Sequence, residues 1–173
     1  MWNQPQLFVS KTMAQVIPEL FAPIENDRYG FLNKPRGGIW TAPYDAARET
    51  SSWVEYMQEN ELNTLRLARF WLLTPDPQAR VYTVESQEHL HFLTQTYPLK
   101  KCYDPHVKKI DFEAAARAGL DGIAVTWKGI YATEYSEPEG LWGWDVASVL
   151  WLRWRFIEVQ ELINFKKVKP RNN

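Results

Sequence analysis

Two stretches carry residue types from which a site can be built. The first, KPRGGIWTAPYDAARETSSWVEYM (34–57), sets Gly37 and Gly38 ahead of Ile39, Trp40 and Thr41, then starts a helix at Ser51, Ser52 and Trp53. Glycines just before a strand remove side chains and let a backbone approach a ligand closely. A large ring two residues later supplies a face for a flat group. The second, GWDVASVLWLRW (143–154), places Asp145, Ala147 and Ser148 at the entrance of a run with the composition of a core strand. Such an entrance reads as a site rim. On composition alone, the first stretch reads better as a core element whose aromatics face inward, and the second has the composition of a core strand.

Little other chemistry competes. The chain has no GxGxxG, P-loop, GxSxG or HExxH signature. His89 and His91 are two apart and point to different sides of a helix, so with His106 they read as surface histidines and no metal is expected. Cys102 is the single cysteine, which excludes an internal disulfide. A net charge of −1 gives no electrostatic footprint of a nucleic-acid binder. Neither a signal peptide nor an apolar run of membrane-spanning length is read, so the expectation is a cytoplasmic protein with no membrane partner. Residues 1–165 read as one domain, and 166–173 as a basic C-terminal tail.

The elements that must position these residues are mostly strands. Strands are expected at 6–12, 38–43, 63–73, 79–86 and 121–127, with 130–135 completing a hairpin that turns at Lys128–Gly129. The longest strand is expected to run unbroken from Ser148 to Leu162. Helices are expected after Thr12 (limited by Pro18), from Thr50 or Ser51, from Ser86, and from Asp111 to Gly119. Residues 22–38 form a long irregular loop, the kind that is usually functional. The fold class is α+β, with a mainly antiparallel β core and inserted helices.

In order, these stretches resemble the motifs of the ADP-ribosyltransferase superfamily. "Gly-Gly-Ile-aromatic-Thr-Ala" followed by a Ser-rich helix start resembles the second motif, where a strand and a helix form the wall on which nicotinamide stacks. The first motif lies on the first strand; Ser10, Lys11 and Thr12 stand where His or Arg is usual. The third motif is a Glu at the start of a late core strand. The pattern is similar to that of a group of small bacterial and phage proteins with Lys-Pro-x-Gly-Gly-Leu-Trp-Thr-Ser, an Asp-Gly-hydrophobic strand, and Gly-Trp-Asp-x-Glu-Ser before a Trp-rich strand. Here those are KPRGGIWTA (34–42), DGIAV (121–125) and GWDVAS (143–148).

The resemblance implies a split-sheet fold and NAD as ADP-ribose donor. Ser10, Lys11 and Thr12 would hold its adenosine side. Gly38, Ile39, Trp40 and Thr41 would hold the nicotinamide riboside, with Ser51 and Trp53 lining the pocket and Arg36 reaching the pyrophosphate. The substrate loop would carry Glu139, Trp142, Trp144 and Asp145. Ala147 stands where the catalytic Glu is expected, so the chain reads as a transferase in inactivated form. A natural pseudoenzyme that keeps NAD, and an ordinary small core residue, are the alternatives for that position. The acceptor would be a macromolecule, nucleic acid or protein, and the setting a toxin or phage-defence effector with an antitoxin partner. Arg66, Arg69, Arg153 and Arg155 read either as a basic groove or as partners of nearby acids. A non-enzymatic Trp-rich binding module is the reading from another class.

Overall fold

The computed structural model describes residues 2–30, 32–60, 68–100, 102, 104, 106–163 and 165, and the fold is α+β. In chain order the elements begin with β1 (Gln6–Ser10), β2 (Ile39–Asp45), β3 (Thr50–Ser51), α1 (Ser52–Glu59) and β4 (Arg69–Pro75). They continue with β5 (Val81–Val84), α2 (Gln87–Thr96), α3 (Phe112–Arg117), β6 (Gly122–Val125), α4 (Trp127–Thr133), β7 (Ser148–Trp151) and β8 (Phe156–Glu161). Each α-helix starts on a side chain that can cap it: Ser51, Ser86, Asp111 and Thr126 accept from Val54, His89, Ala114 and Gly129 N–H.

The strands form one curled sheet in the order β5-β6-β7-β2-β1-β4-β8, with β3 on β2. Its two halves meet in β2. Ile39–Thr41 pair with β7, whereas Ala42 and Pro43 pair with β1. All pairings are antiparallel except β5–β6, whose connection through α2 and α3 is long enough for a parallel return. Side chains alternate across this sheet as the pleat requires. Ile123, Val125 and Leu150 pack under the helices α2–α4 with Leu90, Phe112 and Ile130, while Ala124, Val149 and Trp151 join Trp71 and Leu73 on the opposite side. A smaller cluster, Leu7, Val54, Met57 and Phe70, holds α1 against β1 and β4.

Three expected elements differ. The segment after Lys128 is the helix α4, not a hairpin strand: Thr126 caps it, and Ile130 and Thr133 face inward one turn apart. Gly129 lies so close to the Val84 carbonyl that a side chain there would collide with it. With β5 and β7 already on its two sides, β6 has no free edge for a hairpin partner. The long C-terminal strand breaks at residues 152–155, where the chain leaves β7 to become the edge strand β8. No helix follows Thr12; residues 11–17 are irregular and lead into a 3-10 turn, Pro18–Leu20. Of the strand expected at 63–73, residues 63–67 lie outside the described residues, as does the tail 166–173.

Two buried polar ties fix the sheet. The Thr41 hydroxyl accepts from Trp151 Nε1 at 2.9 Å and donates to Gln6 Oε1 at 3.1 Å, joining β7, β2 and β1. Asp121, fully buried, accepts from Arg80 N–H at 2.8 Å and Arg155 Nε at 2.9 Å, and pairs with Arg153 at 2.6 Å. Burial acts to raise the Asp121 pKa, but the Arg80 N–H and the two guanidinium groups outweigh it and hold the carboxyl below its ordinary value.

Thr41→Val removes the hydroxyl that the Trp151 indole N–H donates to and the hydrogen bond it gives Gln6, and is expected to cost about 2 kcal/mol in urea unfolding. Thr41→Ser should stay much closer to the parent. Asp121→Asn is expected to lower stability by a similar amount at neutral pH. Because the folded pKa of Asp121 is depressed, its stabilisation is complete above about pH 4 and is lost as pH falls through the folded value. The gap between parent and Asp121→Asn should therefore narrow in acid, as followed by chemical unfolding at stepped pH.

Candidate functional site

Across β1, β2 and the entrance of β7 lies a cavity of about 350 Å³. Leu7, Val9 and Ser10 come from β1, Trp40 and Thr41 from β2, Trp53 from α1, and Trp144, Asp145 and Ser148 from the last connection and β7. Trp144 meets Trp40 edge-on, with ring centroids 4.6 Å apart. Its indole N–H donates to the Asn33 carbonyl at 2.9 Å. The Asn33 side chain accepts from Ile110 N–H at 3.1 Å and donates to the Gly140 carbonyl at 3.3 Å. One residue of the long loop thus holds the 140–144 turn and the end of the 98–110 segment together.

The adjacent Lys34 is the cation of the cavity. Its ammonium donates to the Gly143 carbonyl at 3.1 Å and sits over the Trp40 ring, 4.7 Å from the centroid. Burial lowers its pKa, and Asp145 at the mouth opposes the shift. Gly38, at φ +67°, brings β2 against β7 so closely that a Cβ would lie 2.6 Å from the Trp151 carbonyl. Gly37, at φ +71°, meets the Pro23 carbonyl in the same way. What these glycines admit is the protein's own backbone.

A second hollow, about 660 Å³ and more open, lies on the other side of the start of α1. Ser51, Ser52, Thr126, Trp127 and Ala147 line it. Val146 and Ser148 face the first cavity, and Ala147 faces the second. Between them the Ser52 hydroxyl donates to the Ala147 carbonyl at 2.8 Å. The Thr50 hydroxyl, buried at the wall of this second hollow, has no hydrogen-bond partner.

The structure gathers Ser10, Gly38, Trp40, Thr41, Trp53, Trp144 and Asp145 around the first cavity. Ile39 points away from it, into the core with Val149 and Trp151. Lys11 and Thr12 are exposed beyond the end of β1, outside the cavity, and the Ser10 hydroxyl accepts from the Thr12 and Met13 N–H groups. Arg36 is exposed and its backbone pairs with Glu25, so it too lies outside. Glu139 is buried between His91, at 3.0 Å, and Lys108, at 3.2 Å. Trp142 lines a separate hollow with Cys102 and Lys109. Arg69 pairs bidentately with Glu161 at 2.7 and 2.8 Å, and Arg153 and Arg155 with Asp121, so these three arginines have acid partners; Arg66 lies outside the described residues. Lys34 and Asn33 are the contributors that sequence reasoning missed, although Lys34 opens the KPRGG stretch.

Chemically, the first cavity offers indole faces, one ammonium and one carboxylate to a flat, polar-edged ligand. Among the described residues no helix is long and apolar enough to cross a membrane, and no group of three or more His, Cys, Asp or Glu is placed to hold a metal. No family model, curated protein or solved structure matches the chain.

Asn33→Ala removes the two buried side-chain hydrogen bonds, to the Ile110 N–H and the Gly140 carbonyl, that steady the loop whose backbone carbonyl holds Trp144. It is expected to cost about 2 kcal/mol, and to shift the tryptophan emission of the folded state as the Trp40–Trp144 contact loosens. An unchanged spectrum in a destabilised protein would locate the effect elsewhere.

Proposed function

We propose that the chain is an NAD-dependent ADP-ribosyltransferase in catalytically disabled form, with Ala147 at the position of the missing carboxylate. The observation that carries this reading is the adjacency of three strands. β1, β2 and β7 bear the stretches that resemble the three motifs, and they are consecutive neighbours in the sheet. The cavity over them is walled by Trp40 from the strand and Trp53 from the following helix. On this reading nicotinamide lies against those rings. Lys34, not Arg36, is the cation within reach of the donor.

The fold uses the carbonyl of residue 147, through Ser52, and leaves its side chain facing the second hollow. The reading therefore requires the reacting ribose to lie across the Ser52–Ala147 tie. In the reaction the bond between C1′ and nicotinamide breaks, nicotinamide leaves with the electron pair, and an acceptor atom bonds to C1′ and gives up its proton. A carboxylate beside the ribose hydroxyls would gain strength as positive charge develops on the sugar, so it would favour the transition state over bound NAD. A methyl group supplies none of that. The proposed setting is a cytoplasmic toxin or phage-defence effector, by the resemblance alone.

NAD is expected to raise the melting temperature of the chain as it stands, because the absent carboxylate acts mainly on the transition state. Trp40→Ala should abolish that shift. Ala147→Glu should release nicotinamide from NAD, at least a hundredfold faster than the parent if the carboxylate contributes about 3 kcal/mol. If millimolar NAD leaves the melting temperature of both proteins unmoved and neither consumes it, the chain is a Trp-rich binding module instead.

A further inference from the structure

The nine tryptophans and eight tyrosines of the chain are not all core residues. Trp127, Tyr131 and Tyr135 follow one another four residues apart along α4 and its C-terminal end, and are 43%, 78% and 83% exposed. The first two rings stack, with centroids 6.0 Å apart and planes 23° apart. The helix packs through its other side, by Gly129, Ile130 and Thr133. Tyr131 and Tyr135 cover little of the fold, and Trp127 is half-buried at its edge. Their placement gives them a use: Trp127 is on the wall of the second hollow, which the unpartnered Thr50 hydroxyl and Ala147 also line.

The charges around this surface select its occupant. At the hollow, Asp45 and Glu49 act on the hydroxyl of Tyr44, which also lines it, and Glu55 pairs with Arg48 at 2.5 Å. At the far end, Glu134 and Asp145 both lie close enough to Tyr135 to raise the pKa of its phenol. Among the described residues, Arg48 is already paired, Lys128 lies on α4 and Lys34 acts on Asp145 from the first cavity, so the acids stay in excess. A polyphosphate backbone would be repelled along this path. Arginine and lysine side chains would stack on the rings and meet the carboxylates at their edges.

We propose that the Trp127–Tyr131–Tyr135 face of α4 docks a basic, arginine- and lysine-bearing protein segment and leads it to the second hollow beside Ala147. Calling that segment the acceptor rests on the transferase reading; the docking itself does not.

Fluorescence anisotropy on the full chain tests it, with a labelled arginine–glycine repeat peptide, an acidic peptide of the same length and a labelled single-stranded oligonucleotide as probes. The expected result is salt-sensitive binding of the basic peptide alone, weakened about tenfold in Trp127→Ala/Tyr131→Ala/Tyr135→Ala, since each ring contributes roughly 0.5–1 kcal/mol. The double variant Tyr131→Ala/Tyr135→Ala leaves the wall of the second hollow and every carboxylate in place, and its melting temperature, with and without NAD, should match the parent's. Equal binding of the basic peptide to variant and parent, preference for the oligonucleotide, or no binding of any probe would each overturn the docking surface. Peptide binding that depends on the rings in a protein whose melting temperature ignores NAD would uphold the docking surface and remove the transferase reading.

Discussion

The hydroxyl of Thr41 is the smallest group on which the two halves of this sheet depend. β2 alone belongs to both halves, pairing with β7 through its first residues and with β1 through its later ones. A strand shared in this way must twist between partners, and backbone hydrogen bonds by themselves leave that twist loosely specified. The hydrogen-bonded row Trp151–Thr41–Gln6 runs across all three strands inside the fold. It has one geometry in which every buried polar atom is satisfied, and that geometry sets how β1 faces β7. The cavity over the three strands inherits its width from it.

The walls of that cavity are held from outside the sheet. Asn33 and Lys34, in the loop before β2, reach the turn before β7 and bind it at the Gly140 and Gly143 carbonyls and the Trp144 indole. Lys109 reinforces the same loop by donating to the Asp27 and Gly30 carbonyls. Asn26 adds a contact to Asp111 at 2.8 Å, at the cap of α3. The long irregular segment 22–38 is therefore a strap fastened at several points, and its polar side chains replace the hydrogen bonds that regular structure would have supplied.

Much of this was legible, and what was not has identifiable causes. Helix starts at Ser51, Ser86 and Asp111 were readable because capping is local chemistry between residues three apart. Thr126 carries the same signal, but Lys-Gly after an apolar run also reads as a hairpin turn; only the neighbours of β6 decide between them. The break after Trp151 is invisible in composition, because apolar residues continue through it. It is set by Asp121, thirty residues away, which draws Arg153 and Arg155 inward at the corner. Trp40, Trp53 and Trp144 could be marked as site residues by their place in the motifs. Lys34 could not be chosen over Arg36 from sequence, as both sit in the same loop and only the packed structure shows which side chain turns toward Trp40.

Position 147 is where fold and chemistry separate. The sheet uses its carbonyl, fixed by Ser52, and the helix start uses that same contact. Ala147 itself is buried, at the wall of the second hollow with Ser51, Ser52, Thr126 and Trp127. An alanine there meets the contact that Ser52 makes and presents no polar group to the hollow. The Thr50 hydroxyl nearby, buried and unpaired, belongs to the same pattern. Both groups are explained together if this hollow is shaped for something the isolated chain does not contain, and the rings of α4 stand on the side from which it would arrive.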